Sequence, residues 1–440
     1  MSIKKTLKGV VFIFFALVVV ILAVRTVWNI GTGASLTRYL KKSAADGLPL
    51  TFADLGMPCP ASESAAPLWK AANALWDIDS IAAASRAGHP FEPWLNGTEP
   101  DAKIRAAYEA AIAKNRRPID LYLESADRSC GRDPGRRSIL ENTRILTKHN
   151  YAARLIAIEA GLRAQAGDVQ GGLDECLRGL RFARLSLDEP DLINALISIG
   201  CMKMLVIGLD RVVDGNAVDP ESLRLFFQVL SSSDWYEAFR RHVKAERVGE
   251  LEMGEAFLNN GKVGPWLFRP FLKSRLARYL SRYDDMERIY GLPRAARASA
   301  IVEFDRRLEY RGWLDKLAEK YLPEEMSWFG GPEIGATALK EATLEALMDT
   351  ARIGLAARIY RVREGRWPES PAELVPEFLE KEPMDPFTGK PYIYRAGEAG
   401  LLVYSVGANL KDEDGRGTYQ ITQLVMPKDD DWAWRDAFRK

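Results

Sequence analysis

Histidine, cysteine and serine are the side chains whose spacing most often signals chemistry, and here they are few or scattered. The three histidines, His89, His149 and His242, stand too far apart to share a metal at ligand spacing, and no His-Glu-x-x-His run occurs. His149, in TKHNYAA, is a candidate general base, with a packed or solvated helical ring as the alternative. No G-x-S-x-G elbow, phosphate-cradling G-x-x-x-x-G-K-S/T loop or dinucleotide-binding G-x-G-x-x-G run is present. Aspartate and glutamate are abundant, yet a glycosidase pair is defined by separation in space, which chain spacing does not set. These residues assign no catalytic or cofactor-binding group, so the expectation is a non-enzymatic protein. The alternative is an envelope hydrolase with its site near His149 or His242.

The four cysteines contain no C-x-x-C pair, which excludes zinc ribbons and thioredoxin-type chemistry. Cys59 (GMPCPAS) and Cys130 (RSCGRDPG) lie in Pro/Gly-rich loops where two thiols can meet without distorting a helix; the sequence leaves their bonding open. Cys176 and Cys201 fall in helical patterns and read as small buried apolar residues. With 440 residues, two or three domains are expected. The net charge of +1, with both signs interspersed and no basic patch carrying aromatics, argues against nucleic acid as a partner.

The strongest positioning signal is IKKTLKGVVFIFFALVVVILAVRTVWNI. Every residue from Gly9 to Val24 is apolar or glycine, and apolar character resumes after Arg25. About 20 residues cross the ~30 Å hydrocarbon core, so residues 9–30 suffice as an anchor if Arg25 reaches to the interface, with Trp28 at headgroup level. Lys4, Lys5 and Lys8, within residues 1–8, place that end in the cytoplasm; Arg25, Arg38, Lys41 and Lys42 on the other flank keep the charge bias modest. A cleaved secretory signal shares the basic start, but VRTVWN is a poor cleavage site, so an uncleaved signal-anchor is expected. Both readings send the bulk outside the cytoplasm, as a single-pass inner-membrane protein with a periplasmic body.

Residues 44–322 read as an extracytoplasmic α-helical domain. Helical spacing marks SAAPLWKAANALW, the run from Asp101 to Ala126, about Ile139 to Ala166, Leu192 to Val213, Pro220 to Leu230 with Asp219 as N-cap, and Trp235 to Leu258. AGHPFEPWLNGTEP, dense in Gly and Pro, reads as a loop. AIEAGLRAQAGDVQGGLDECLRGLRFARLSLDEP predicts a helical hairpin turning at Gly167–Asp168, with Ala160, Ala164 and Gly171 at the contact. It resembles one tetratricopeptide-type unit, although an irregular all-α domain is the reading preferred here. Residues 264–292 combine aromatics with arginines, which suits a membrane surface or, more commonly, a packed surface helix.

Residues 323–337, including GGPEIGAT, read as a linker or hinge, 338–426 as a small α+β module and 427–440 as a tail whose tryptophans dock onto the body or a partner. Leu344, Leu347, Met348, Ala351, Leu355, Ile359 and Val362 predict one long helix, ended by Gly365 and Pro368. Ser370 and Glu373 predict a capping box opening a short helix through AELVPEFL. KPYIYRA and LLVYSV predict an antiparallel pair joined by GEAG.

This order of motifs is similar to the globular part of type II secretion major pseudopilins, over roughly residues 345–415. Tyr360, Gly365, Arg366, Pro368, Asp385, Pro386, Gly389, Pro391, Tyr392, Ser405, Gly407 and Ala408 carry the likeness. The anchor lies about 300 residues upstream and lacks a prepilin leader, so the resemblance implies a borrowed module rather than a pilin subunit. It also implies calcium in the loop GANLKDEDGRG, where Asn409, Asp412 and Asp414 would supply part of a six-to-eight-oxygen shell. Asn409 stands where the family carries aspartate; the alternative is a solvated acidic turn. The fold class expected is mostly α: an anchor, an irregular helical domain and a small α+β module. The function expected is a binding or scaffold protein of the bacterial envelope, with unidentified envelope protein partners, beside a secretion or pilus-like apparatus; a calcium-responsive sensor is a further alternative.

Overall fold

Helix α1 (Ile3–Ala45) is unbroken for 43 residues, about 65 Å at 1.5 Å per residue. In the computed structural model, which describes residues 3–56, 59–95, 98–138, 148–216, 218–230, 234–259, 263–309, 334–398, 400–415 and 432–436, nearly all of its side chains from Val11 to Val24 are exposed. No packing within the chain explains a helix so apolar and so bare. Its window from Val11 is long and apolar enough to cross a membrane, with mean hydropathy 2.7 and none of it buried. The C-terminal half differs: Leu36 is buried against Leu251, Leu272, Leu276 and Leu280, with Tyr39 and Leu40 beside them.

The body is mostly helical: α2 (Ala66–Asn73), α3 (Ile78–Ala87), α4 (Phe91–Leu95), α5 (Ala102–Lys114), α6 (Arg116–Ser125), α7 (His149–Gln165), α8 (Val169–Ser186), α9 (Leu192–Val213), α10 (Pro220–Leu230), α11 (Asp234–Asn259), α12 (Val263–Tyr290) and α13 (Arg294–Glu309). Beyond it lies α14 (Ile334–Glu364) and a small antiparallel sheet of β1 (Ile393–Gly397), β2 (Gly400–Ser405) and β3 (Trp432–Asp436), in that order.

Helices α7, α8 and α9 pack on one another at the centre. The α7–α8 hairpin forms as expected: Gly167 takes φ 91°, and Asp168 accepts from the Gly171 amide at 3.0 Å to cap α8. The small residue that admits the close approach is Gly172, not Gly171; a Cβ there would sit 2.7 Å from the Ala160 carbonyl. Helix α9 covers both members, and a Cβ at Gly208 would meet the Ala157 backbone at 2.9 Å. Although α9 is apolar enough to cross a membrane, 83% of its apolar window lies inside the body, so it is a core helix.

Several expectations are corrected. The run 101–126 is two helices, because Pro118 has no N–H for the Lys114 carbonyl; Asn115 joins them, donating to Ala111 O at 2.8 Å and Ser80 Oγ at 3.0 Å. The supposed loop at 87–100 contains α4, whose Phe91 and Trp94 are buried. The Trp94 ring lies over Gly161, where a Cβ would stand 2.8 Å away. Residues 334–337 are the first turn of α14 rather than a hinge; 323–333 and 139–147 lie outside the described residues.

Ser370 makes no capping hydrogen bond, and only a 3-10 turn forms at Pro371–Leu374. Glu373 instead accepts from the Glu369 amide at 2.7 Å, one residue earlier than expected. The GEAG hairpin is as expected, Gly397 pairing with Gly400 and Ile393 with Tyr404. In the tail, residues 432–436 add a third strand against β2. The apolar core runs through the boundary placed near residue 338 without a break, since Leu347, Ala351 and Leu355 of α14 share one cluster with α9, α10 and the sheet.

Candidate functional site

His149 and His242 are fully buried and His89 partly so, and the hydrogen bonds of all three rings go to uncharged groups. The His149 ring is fully buried among Trp69, Tyr122 and Phe182 at centroid distances of 4.7, 5.3 and 5.5 Å. Its Nδ1 bonds the Tyr122 hydroxyl at 2.9 Å, and burial holds its pKa down at about 3. His89 Nδ1 bonds the Tyr108 hydroxyl at 3.2 Å. His242 Nδ1 donates to the Ala238 carbonyl one turn earlier at 2.5 Å; burial pushes its pKa down to about 4. Rings so placed are packed neutral groups, and no carboxylate hydrogen-bonds any of them among the described residues.

Around His242 lies a buried polar cluster. Arg136, 7% exposed, bonds Glu189 at 2.8 Å and Asp191 at 3.0 Å. Asp191 caps α9 through the Asn194 amide at 2.8 Å. The fourth turn of α11 adds Glu246, which accepts from the Leu192 amide at 3.4 Å, and one turn on stands Glu250, 2% exposed. Burial raises Glu246 to about 7 and Glu250 to about 8, with Asp191 adding to the first and Glu246 to the second. These residues knit the 130–138 loop, the α8–α9 joint and α11 together.

The cluster predicts a pH dependence. Glu250, raised from 4.5 to about 8, contributes stability that is complete below its unfolded pKa and is lost as pH rises through about 8. His242, depressed from 6.5 to about 4, contributes in the opposite sense, its share being lost as pH falls through about 4. The melting temperature should therefore fall on raising pH from neutrality to 9, and Glu250→Gln should remove about 1–2 °C of that fall. Calorimetry of both proteins across the range checks it; an unchanged alkaline limb in the variant would place the cause elsewhere.

The acidic loop brings Asn409, Asp412 and Asp414 into one turn, but its donors serve internal bonds. Asp412 Oδ1 accepts from the Tyr404 hydroxyl and the Asp414 amide, both at 2.8 Å. Asn409 Oδ1 accepts from the Lys411 amide at 2.9 Å. Asp414 Oδ1 is bonded at 2.9 Å by Arg395, whose guanidinium lies over the Tyr404 ring. No group of three or more His, Cys, Asp or Glu side chains converges as a metal's donor set among the described residues. Arg395 thus supplies a countercharge to Asp414, and one oxygen of each of Asp412 and Asp414 is bonded within the module. Millimolar calcium is expected to leave the melting temperature within about a degree; a clear rise would restore the metal.

The cysteines and α1 carry more. Cys59 and Cys130 are joined in a disulfide with Cα atoms 6.1 Å apart, while Cys176 and Cys201 are free and buried as expected. Where α1 meets the body, Arg247 of α11, 1% exposed, bonds Asp284 of α12 at 2.9 Å and the Pro49 carbonyl at 2.8 Å. Tyr39 of α1 donates to the other Asp284 oxygen at 2.5 Å. This clamp ties the apolar helix rigidly to the body. Sequence reasoning missed it because its members lie about 200 residues apart; an arginine on the buried face of α11 was the one hint.

Five of the residues named for the pseudopilin likeness make local bonds. Tyr360 donates to Glu373 at 2.7 Å and Arg366 bonds the same carboxylate at 3.0 Å. The Asp385–Gly389 turn closes through the Gly389 amide on Asp385 O at 2.8 Å, and Tyr392 reaches Asp349 of α14 at 3.2 Å. Comparison of the whole chain with protein-family models, curated proteins and solved structures finds no match.

Proposed function

We propose that this chain is a single-pass protein of the bacterial inner membrane, its N-terminus cytoplasmic and its helical body periplasmic, which binds or organises other envelope proteins without transforming a substrate. The observation that carries the reading is α1: bare and apolar from Val11 to Val24, then clamped into the body through Tyr39. A helix of that character costs least in lipid, and a rigid joint transmits the position of the membrane to the body. The Cys59–Cys130 bond supports the periplasmic side, because disulfides persist in oxidising compartments. The packed histidines and internally bonded acidic loop favour binding over catalysis. Association with a secretion or pilus-like apparatus rests on the pseudopilin-like motifs of residues 345–415 alone.

Alkaline carbonate extraction of membranes from cells making the full chain tests the anchor. The protein should stay with the membrane and be released when residues 3–28 are deleted. Release of the intact chain by carbonate would end this reading. Crosslinking in cells, followed by identification of the captured envelope proteins, tests the scaffold role.

A further inference from the structure

Helix α7 carries two arginines, and they differ. Arg163 is paired with Asp168 at 2.7 Å and Glu175 at 3.1 Å. Arg154 has no ion pair among the described residues: its Nη1 donates to Ser85 Oγ at a long 3.3 Å, and its Nε, shielded from solvent, has no hydrogen-bond partner. A guanidinium drawn partly out of water without a countercharge raises the free energy of the body, and an anion beside it would offset that cost.

Further donors surround it. Helix α5 packs on both α3 and α7, which brings Ser85 near the end of α3, His89 just beyond it, Tyr108 of α5 and Arg154 to one corner. Tyr108 is wholly buried and forms its floor; Ser85, His89 and Arg154 are part-exposed at its rim. The Tyr108 hydroxyl bonds His89 Nδ1 at 3.2 Å and faces the Ser85 and Arg154 side chains. The Arg154 charge reaches three titratable groups, none of them negative at neutral pH. Burial, with Arg154 adding to it, holds His89 down at about 4, while burial raises the Tyr108 hydroxyl and the Cys201 thiol. The corner thus offers one positive charge, two hydroxyls and an imidazole, with no acid to balance them. That set matches a singly charged planar anion: a carboxylate takes parallel N–H bonds from a guanidinium and hydroxyl donors at its remaining lone pairs. A phosphate dianion would call for a second cation, and none stands among these groups.

We propose that Arg154, Ser85, Tyr108 and His89 form a binding site for the carboxylate of a small organic acid. A small ligand is required because one hydroxyl it must reach belongs to a wholly buried side chain. The site adds a ligand to a body proposed to bind other proteins, and it does not depend on the anchor.

The test uses NMR of the full chain in detergent micelles with carbon-13-labelled histidine. The chain has three histidines, hence three ring signals, and His89→Asn identifies the one beside Arg154. At pH 7, acetate should shift the His89 signal saturably, with half-saturation on the order of 1–10 mM, and leave His149 and His242 in place. Chloride at equal ionic strength should leave all three unmoved. Arg154→Gln should weaken the acetate response at least about tenfold, and Ser85→Ala about threefold. If the glutamine variant displaces the His149 and His242 signals, its core has changed, and Ser85→Ala carries the decision. A His89 signal indifferent to acetate, or moved equally by chloride, overturns the site. A response that survives Arg154→Gln in a folded variant, or is untouched by Ser85→Ala, overturns it as well. Inorganic phosphate half-saturating at a lower concentration than acetate overturns the carboxylate assignment. None of these results bears on the anchor, which carbonate extraction tests separately.

Discussion

Arg247→Ala is expected to lower the unfolding free energy by about 3–5 kcal/mol, because it removes one partner of a buried pair and strands the other. Asp284 would keep only the Tyr39 hydroxyl, and the Pro49 carbonyl would lose its donor. The loss falls where α1 enters the body, so the variant should also expose residues 45–55 to protease well before the rest of the chain opens. Arg247→Lys should recover little, since one ammonium cannot span the Asp284 carboxylate and the Pro49 carbonyl as the guanidinium does. Asp284→Asn with Arg247→Met, which removes both charges, should be milder than Arg247→Ala. Thermal unfolding in detergent and limited proteolysis together check it. A variant as stable as the parent, with an intact joint, would show that the clamp does not hold α1.

Replacing Cys59 and Cys130 by serine is the other large effect. The bond spans 71 residues of chain, and the loop-entropy account gives about 4 kcal/mol for a closure of that size. It also pins the 126–138 segment beside residues 63–65, where the Ala65 amide donates to the Cys130 carbonyl at 2.9 Å. Next to it, the Gly131 amide donates to Asp188 at 2.8 Å, and a Cβ at Gly131 would collide with the Leu185 carbonyl. The double variant should melt about 4–5 °C lower. Reduction of the parent should reproduce most of that drop. A reductant-insensitive melting temperature in the parent would mean that this bond contributes nothing to stability.

Much of the fold was legible because local rules governed it. The α9 and α10 boundaries follow from apolar periodicity and, for α10, from the Asp219 cap, which does accept from the Ser222 amide at 3.0 Å; the Asp191 cap of α9 emerged only with the structure. Gly167 and Asp168 announced the α7–α8 turn, and two glycines around Glu398 and Ala399 announced the β1–β2 hairpin. What failed needed tertiary information. Gly and Pro around residues 88–100 signalled a loop, yet burial of Phe91 and Trp94 over Gly161 holds a short helix there. The Ser370 capping box lost to Glu369 as the partner of Glu373. The hinge near residue 335 vanished because α14 buries its apolar face on α9 and α10 rather than standing apart. Of the candidate site, the bare apolar helix was plain from composition, whereas the Arg247 clamp depends on contacts that no local pattern encodes.

The central claim is that α1 carries the body across a bilayer to the outer side, and thiol labelling in intact cells tests it most directly. Leu225→Cys places a thiol on an exposed face of the body, since Leu225 is 44% exposed. In spheroplasts with sealed inner membranes, a membrane-impermeant maleimide should modify this cysteine to the same extent as after detergent lysis, while the parent, whose free Cys176 and Cys201 are buried, stays unlabelled. Labelling of Leu225→Cys that appears only after lysis would place the body in the cytoplasm and contradict the account.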